Sequence, residues 1–183
     1  KLLALTHVSN VLGEVNPIKE IVKKAREINP EICVVVDGAQ AVPHIPVNVA
    51  DLDVDFYVFS GHKLYGPTGV GVLYTKAQRQ AEMNPDNFGG GMIKTVTLDE
   101  ATWASGPEKF EAGTPLIAEV IGLGAAIDFV NSIGFEEIQN HEKELVNYLL
   151  EKLKSLEWVE VLGSKEEKNR LGVVSLFSRK LGM

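Results

Sequence analysis

Two apolar segments of the chain each end in side chains that can do chemistry. In the first, three consecutive valines run directly into Asp37 and Gly38, and in the second, residues 58–60 run into His62 and Lys63. A carboxylate at the end of a buried strand is costly to desolvate unless a cation faces it. A lysine in such a place is partly desolvated, which leaves more of the neutral amine that attacks carbonyl groups.

Each of these residues taken alone has an ordinary structural interpretation. Asp37 can simply turn the chain before Gly38, and a lysine such as Lys63 is more often a plain surface residue. Together, an amine and a carboxylate at neighbouring strand ends match what pyridoxal phosphate requires. The lysine binds its aldehyde, and the carboxylate keeps its pyridine nitrogen protonated so that the ring accepts electrons. Hydroxyl, histidine and backbone N–H groups beside the lysine can bind its phosphate.

Apolar periodicity predicts the elements that position these residues. In chain order they are a buried strand over residues 2–5, an amphipathic helix over 17–28, a central parallel strand over 32–36, and strands over 56–60 and 70–75. Strand, helix and strand form a βαβ unit, which indicates an α/β fold with a mostly parallel sheet and flanking helices. Ligands of such sheets bind beyond the carboxyl ends of the strands, where Asp37 and Lys63 fall.

The second half of the chain is predicted to be mainly helical. Residues 84–114 are rich in glycine and proline, and they predict a long loop with a hairpin near residues 93–98. After this loop, a helix is predicted over 115–133 that is apolar on nearly all sides and therefore buried. A more polar helix over 136–156 follows, and its packed side carries Ile138, Leu145, Leu149, Leu153 and Leu156. Strands are predicted over 158–162 and 173–177.

Composition excludes several classes of function. Asp and Glu outnumber Lys and Arg by 25 to 18, for a net charge of −7, whereas proteins that bind nucleic acid usually carry a basic surplus. No apolar run reaches the roughly 18 residues of a membrane span, so neither a membrane nor a nucleic acid is an expected partner. The chain also lacks the glycine-rich and serine motifs of dinucleotide binding, nucleotide hydrolysis and serine hydrolysis.

Cys33 is the one cysteine, which excludes an internal disulfide and a multi-cysteine metal site. We expect no metal site, and a reducing, cytoplasmic location fits best.

Three ordered motifs resemble the class V enzymes of the fold-type I pyridoxal phosphate superfamily. They are Asp-Gly-Ala-Gln at residues 37–40, Ser-Gly-His-Lys-Leu-Tyr-Gly-Pro-Thr-Gly at 60–69 and Phe-Glu-Ala-Gly-Thr-Pro at 110–115. Within that class the motifs look most like the SUF-type (group II) cysteine desulfurases, a group that includes selenocysteine lyases. The similarity covers essentially all 183 residues. It implies that residues 1–131 are the C-terminal half of the large cofactor-binding domain and that 132–183 begin a small α+β domain.

The resemblance implies a role for each residue of the predicted site. Lys63 is the catalytic lysine that binds the cofactor covalently, and Asp37 is the partner of its pyridinium nitrogen. Gln40 donates a hydrogen bond to the phenolic oxygen of the cofactor. Ser60 and His62 bind its phosphate.

Two further residues enter the site through the resemblance. Asn10 lies close to the cofactor and the substrate carboxylate, although a turn residue is an equal alternative. Thr114 reaches the phosphate of the neighbouring subunit's cofactor across a homodimer, or it caps the helix that follows. Residues 92–102 resemble the element that covers the partner's active site. His7 and His44 are predicted to be structural.

Cys33 marks a departure from the family, whose members use a nucleophilic cysteine on a C-terminal loop. Its strand predicts a buried, unreactive thiol that packs in the core. The family's nucleophilic cysteine and substrate-binding arginine would fall beyond Met183, and its first phosphate contact would precede Lys1. We therefore expect the chain to be a fragment that is inactive alone.

The function implied is that of a sulfur transferase. A pyridoxal phosphate-dependent cysteine desulfurase converts L-cysteine to L-alanine, holds the sulfur as an enzyme persulfide, and passes it to an acceptor protein for iron–sulfur cluster assembly. One alternative is a selenocysteine lyase acting on L-selenocysteine, or another class V enzyme such as an epimerase. Another is a non-catalytic interaction module that keeps the fold.

Overall fold

A four-stranded sheet forms the frame of the chain in the computed structural model, which describes residues 1–164 and 170–180. Its strands, in spatial order, are β1 (Leu2–Thr6), β2 (Cys33–Asp37), β3 (Phe56–Ser60) and β4 (Gly71–Thr75). The first three run parallel, and β4 returns antiparallel to β3. The predicted α/β class with a mostly parallel sheet is confirmed. Because β1, β2 and β3 run parallel, their carboxyl ends lie along the same edge of the sheet.

Helices connect and cover these strands. They are α1 (Ile18–Ile28), α2 (Val49–Leu52), α3 (Ala77–Glu82), α4 (Ile117–Ile133) and α5 (Phe135–Leu153). Two hairpins follow the sheet, β5 (Ile93–Val96) with β6 (Ala101–Trp103) and β7 (Val159–Val161) with β8 (Leu176–Ser178). Single 3-10 turns lie at Gly61–Leu64 and Pro107–Phe110. The predicted hairpin after residue 92 is therefore present.

The main core lies between α1 and the central strands. Ile18 and Val22 from the apolar face of α1 pack against Val34, Val36 and Tyr57, and all five side chains are buried. The inward residues of β2 alternate along the strand, as the two-residue period of a pleated strand requires. This packing holds β2 and β3 side by side and so sets the positions of the residues that follow them.

A buried carboxylate anchors the other end of the same strands. Asp55 accepts hydrogen bonds from the Val34 N–H at 2.8 Å, from Nη2 of Arg26 and from Nε of Arg79, both at 3.1 Å. Burial by itself raises the pKa of Asp55, but the Val34 and Arg79 hydrogen bonds and the Arg26 charge outweigh it and lower that pKa. Asp55 therefore stays ionised and ties α1, β2, β3 and α3 together.

The predicted burial of β1 and of α4 is wrong in detail. Leu2, in the strand predicted to be buried, is 64% exposed because β1 is the edge strand of the sheet. Helix α4 buries only Leu123, Ala126 and Val130, and Ile121 is 68% exposed. The reason is that only one face of α4 meets the sheet side of the described chain.

The predicted packed side of α5 is confirmed only in part, since Ile138 packs against the core cluster of Leu64 and Val130. Leu145 and Leu149 are exposed, whereas the neighbouring Val146 is buried.

Among the described residues, no single helix has the length and apolarity of a membrane span. Helices α4 and α5 reach that length and apolarity only as a pair bent by 76°.

Candidate functional site

The predicted site residues meet at the carboxyl edge of the sheet. Asp37 ends β2 and lies in register between Thr6 of β1 and Val58 of β3. Adjacent strands are about 4.8 Å apart, and Ser60 lies two residues, or roughly 6.6 Å, beyond Val58 along β3. Lys63 follows in the 3-10 turn that continues from Ser60. The structure thus brings the carboxylate and the amine to the ends of adjacent parallel strands.

Asp37 differs from the expectation of a desolvated carboxylate, because its side chain is exposed. It ends its strand, and the described residues leave that edge of the sheet uncovered. Oδ1 accepts a hydrogen bond from the Ala39 N–H at 2.9 Å, and the described part of the chain gives Oδ2 no partner. That oxygen is therefore available to a cationic N–H group.

The backbone at Asp37 rests on a buried pair of rings. A Cβ on Gly38 would lie 2.0 Å from Cε1 of Tyr57, so the strand end can contact this ring only through a glycine. The Tyr57 hydroxyl is 2.9 Å from Nδ1 of His7, which is buried, in agreement with its predicted structural role. Burial and the charge of Asp37 raise the pKa of Tyr57, and burial lowers the pKa of His7.

Tyr57 was not predicted as part of the site. The available signal was Gly38, since a glycine directly after a strand-end carboxylate often marks a close approach by another group. A glycine does not indicate which group approaches, so the sequence could not name the ring.

A tight turn places Lys63. The Gly61 N–H donates to the Val70 carbonyl at 2.9 Å, and the Gly66 N–H donates to the Gly61 carbonyl at 3.0 Å. A Cβ on Gly61 would lie 2.7 Å from Cγ1 of Val70, so this position also requires glycine. Leu64 is buried in a second cluster with Val70, which anchors the turn. Lys63, its neighbour, is left half-buried beside the sheet edge.

Donor groups cluster around this turn. Ser60 is half-buried and His62 is exposed, and within residues 1–164 and 170–180 no hydrogen bond or ion pair occupies the side chain of Ser60, His62 or Lys63. Gln40, in the turn after β2, is half-buried with its amide equally unoccupied. A hydroxyl, an imidazole and an ammonium group are suitable donors to phosphate oxygens. With the free oxygen of Asp37, this set fits pyridoxal phosphate chemically.

Asn10 lies beyond the end of β1, on the same edge of the sheet. It is exposed at the tip of a turn in which the Gly13 N–H donates to the Ser9 carbonyl at 3.0 Å. The Ser9 hydroxyl accepts from the Leu12 N–H, also at 3.0 Å. The turn is therefore ordered by other residues, and no hydrogen bond from the described residues occupies the Asn10 amide.

Thr114 is exposed in the segment that leads into α4. The N-cap of α4 is Leu116, with no side-chain hydrogen bond, so the alternative that Thr114 caps this helix is wrong. The neighbouring Gly113 N–H donates to the Gly90 carbonyl at 2.8 Å, which ties this segment to the triple-glycine stretch before β5.

Cys33 is half-buried rather than fully buried, at the amino end of β2. It lies four positions before Asp37, which corresponds to about 13 Å along an extended strand. The thiol is thus at the opposite edge of the sheet from Lys63 and its neighbours.

Comparison with known proteins places this geometry in a family. The chain is 50% identical over 175 residues to a probable cysteine desulfurase of Halalkalibacterium halodurans, an alignment covering 96% of this chain and 42% of the relative. It superposes on the apo structure of cysteine desulfurase from Thermococcus onnurineus NA1 with a TM-score of 0.92 and 42% identity, covering 97% and 44% of the two chains.

A second solved structure agrees. A cysteine desulfurase from Escherichia coli superposes with a TM-score of 0.90 at 35% identity, covering 97% of this chain and 43% of that one. The chain spans about two fifths of the length of the relatives it matches. The family described as Aminotransferase class-V matches residues 1–182. The chain therefore belongs to the class-V aminotransferase family.

Proposed function

We propose that the complete protein containing this chain is a pyridoxal phosphate-dependent cysteine desulfurase. It converts L-cysteine to L-alanine and holds the sulfur as a persulfide on the enzyme. The observation that carries this proposal is the placement of an unoccupied amine, Lys63, and an available carboxylate, Asp37, at adjacent strand ends. The identity of 50% to a probable cysteine desulfurase supports the choice of reaction within the family.

Each side chain of the edge has a task in this reaction. Bound pyridoxal phosphate supplies a sink for the electrons of the substrate carbanion. Asp37 holds the proton on the pyridine nitrogen, and Gln40 donates to the phenolic oxygen. Ser60 and His62 bind the phosphate. Lys63 would hold the cofactor through its amine, and that amine, when free, would move the proton at Cα of the substrate.

The remaining assignments concern the surroundings of this site. Asn10 contacts the substrate carboxylate. In a homodimer, Thr114 reaches the phosphate at the neighbouring site, and residues 92–102 cover that site. Residues 1–131 belong to the large domain and 132–183 to the small one. The protein works in the cytoplasm and passes sulfur to an acceptor protein for iron–sulfur cluster assembly.

Substitution of Lys63 in the complete protein distinguishes the hypothesis of an enzyme from that of a non-catalytic interaction module. Lys63→Ala is expected to abolish both the visible absorbance of the lysine-bound cofactor and the release of alanine from L-cysteine. The control is Lys24→Ala, an exposed position on α1, which should keep both. If Lys63→Ala retains absorbance and activity, the proposed function is wrong. In the wild-type protein, the rates of alanine formation from L-cysteine and from L-selenocysteine decide between a desulfurase and a selenocysteine lyase.

A further inference from the structure

The turn that carries Asn10 is held by a distant part of the chain. We call residues 9–14 the Asn10 loop. Arg170 is only 6% exposed, and its guanidinium donates to three backbone carbonyls. Nη1 bonds the Ser164 carbonyl at 2.9 Å, while Nη2 bonds those of Leu162 at 2.7 Å and Leu12 at 3.1 Å. The Arg170 side chain therefore joins the Asn10 loop to the segment after β7.

Further hydrogen bonds, to backbone and side-chain oxygens, reinforce this junction. The Leu171 N–H donates to the Gly13 carbonyl at 2.9 Å, and the Ser164 N–H donates to Oε1 of Glu14 at 2.7 Å. Glu14 and Arg170 also form an isolated antiparallel bridge. These contacts involve residues that follow Asn10 in the chain, and none of them involves the Asn10 side chain.

A further contact lies directly beside Asn10. The Ser175 hydroxyl donates to the carbonyl of Val11, the next residue in the loop. The junction therefore reaches to within one residue of Asn10.

Two glycines allow the chain segments to meet. Gly13 has φ +71, and a Cβ there would lie 2.5 Å from the Val173 carbonyl oxygen. Gly163 has φ +80, and a Cβ there would lie 3.1 Å from Cβ of Leu12. Side chains at either position would strain the backbone and separate the segments. The close approach is thus built into both sides of the junction.

We propose that Arg170 is a positioning residue that acts through the Asn10 loop. A buried guanidinium draws together carbonyls that would otherwise repel one another, and hydrogen bonds from a charged donor are the stronger kind. By fixing residues 9–14, Arg170 sets where the Asn10 amide lies at the carboxyl edge, and it links the C-terminal segment to that edge. The inference rests on the proposed function, which assigns Asn10 to the substrate carboxylate.

Amide hydrogen exchange in the complete protein tests the anchoring. Lysine is a compact point charge without the planar fork by which two nitrogens of one guanidinium bond three carbonyls. Arg170→Lys is therefore expected to speed exchange at the Gly13 and Leu171 amides by about tenfold or more, because hydrogen bonds to a charged group are lost. The exposed Arg179, which pairs with Glu160, provides the matched control Arg179→Lys. Wild-type exchange rates at both amides in Arg170→Lys would overturn the proposal.

A milder variant covers the case in which Arg170→Lys does not fold. Ser175→Ala removes only the hydroxyl contact to Val11 and should speed exchange in the Asn10 loop in the same direction, by a smaller factor. Unchanged exchange in the loop of a folded Ser175→Ala protein would count against the junction.

A double-mutant cycle on KM for L-cysteine tests the route through Asn10. Arg170→Lys is expected to raise KM several-fold with little change in kcat, and to have no further effect on KM in an Asn10→Ala background. An equal rise in both backgrounds would show that Arg170 does not act through Asn10. If the wild-type protein forms no alanine from L-cysteine, the proposed function fails, while the exchange rates still decide whether Arg170 anchors the loop.

Discussion

The Tyr57 hydroxyl lies 2.9 Å from Nδ1 of His7, in a buried contact between side chains 50 residues apart. The two rings meet edge to face at 88°. The backbone N–H of His7 donates to the backbone carbonyl of Asp37 at 2.8 Å. The same tyrosine ring packs against Gly38. The position of Asp37 at the sheet edge therefore depends on the buried pair of His7 and Tyr57.

Replacing Gly38 by alanine should displace this strand end. The new Cβ would lie 2.0 Å from Cε1 of Tyr57, which is far inside van der Waals contact. We expect Gly38→Ala to lower the free energy of unfolding by about 3 kcal/mol or more, as overpacking of a rigid ring does. Urea unfolding of the complete protein measures this change.

Gly90 provides the matched control, since a Cβ there would have no neighbour within 4 Å among the residues that the structure describes. Gly90→Ala should leave the free energy of unfolding within about 0.5 kcal/mol of wild type. Equal stabilities of the two variants would contradict the close contact of Gly38 with Tyr57.

His7 should make the protein sensitive to mild acid. Burial lowers the pKa of His7, so below about pH 6.5 the unfolded chain binds a proton that the folded chain does not. The contribution is fully present above that pH and is lost as the pH falls toward the lowered pKa. Urea unfolding at about pH 7.5 and about pH 5.5 should show a smaller loss of stability for His7→Gln than for wild type. His141→Gln, at an exposed position, should lose as much as wild type does.

Asp55 should stabilise the fold mainly above acid pH. Asp55→Asn weakens the contacts with Arg26 and Arg79, and we expect it to cost about 2–4 kcal/mol near neutrality. The pKa of Asp55 is lowered in the folded state, so its contribution is present above about pH 4 and disappears as the pH falls through the lowered value. The difference between wild type and variant should therefore shrink on acidification.

The exposed ion pair of Lys19 and Asp51 gives the comparison for Asp55. Asp51→Asn should change the free energy of unfolding by less than about 1 kcal/mol. A similar loss of free energy of unfolding for both substitutions would show that burial does not make the Asp55 ion pairs more stabilising than an exposed pair.

Asp37→Asn should weaken binding of pyridoxal phosphate to the complete protein. An amide cannot keep the pyridine nitrogen protonated, and loss of a charge-assisted hydrogen bond of roughly 1.5–3 kcal/mol corresponds to about tenfold or more in affinity. Equilibrium dialysis with the free cofactor measures the change. Asp86→Asn, at an exposed position before the first hairpin, should bind as wild type does. Unchanged affinity in Asp37→Asn would remove Asp37 from the cofactor site.

The frame of the fold could be predicted from the sequence because its signals are local. The apolar run into Asp37 and the helical spacing of residues 17–28 each lie within one element. Strand β3 has the bounds predicted for it, Phe56–Ser60. The parallel direction of β1 and β2 follows from these signals, since a parallel strand pair needs a crossover such as the helix predicted between them. The motifs that end at Gln40 and Lys63 were equally visible, because each is a continuous stretch.

Burial and long-range contacts could not be predicted in the same way. Apolar residues in α4 indicated a buried helix, but the number of covered faces depends on which other segments are present around it. The exposure of Asp37 likewise follows from what covers the sheet edge.

The sequence by itself determined the order of strands and helices and the residue types at the carboxyl edge, since periodicity and continuous motifs need no knowledge of distant residues. Only the tertiary structure decided that Tyr57 supports Gly38 and that Arg170 holds Leu12, residues 158 positions apart. The physical reason is that such pairs form where packing brings separate segments together. The spacing of side chains along one segment does not indicate which other segment will contact it.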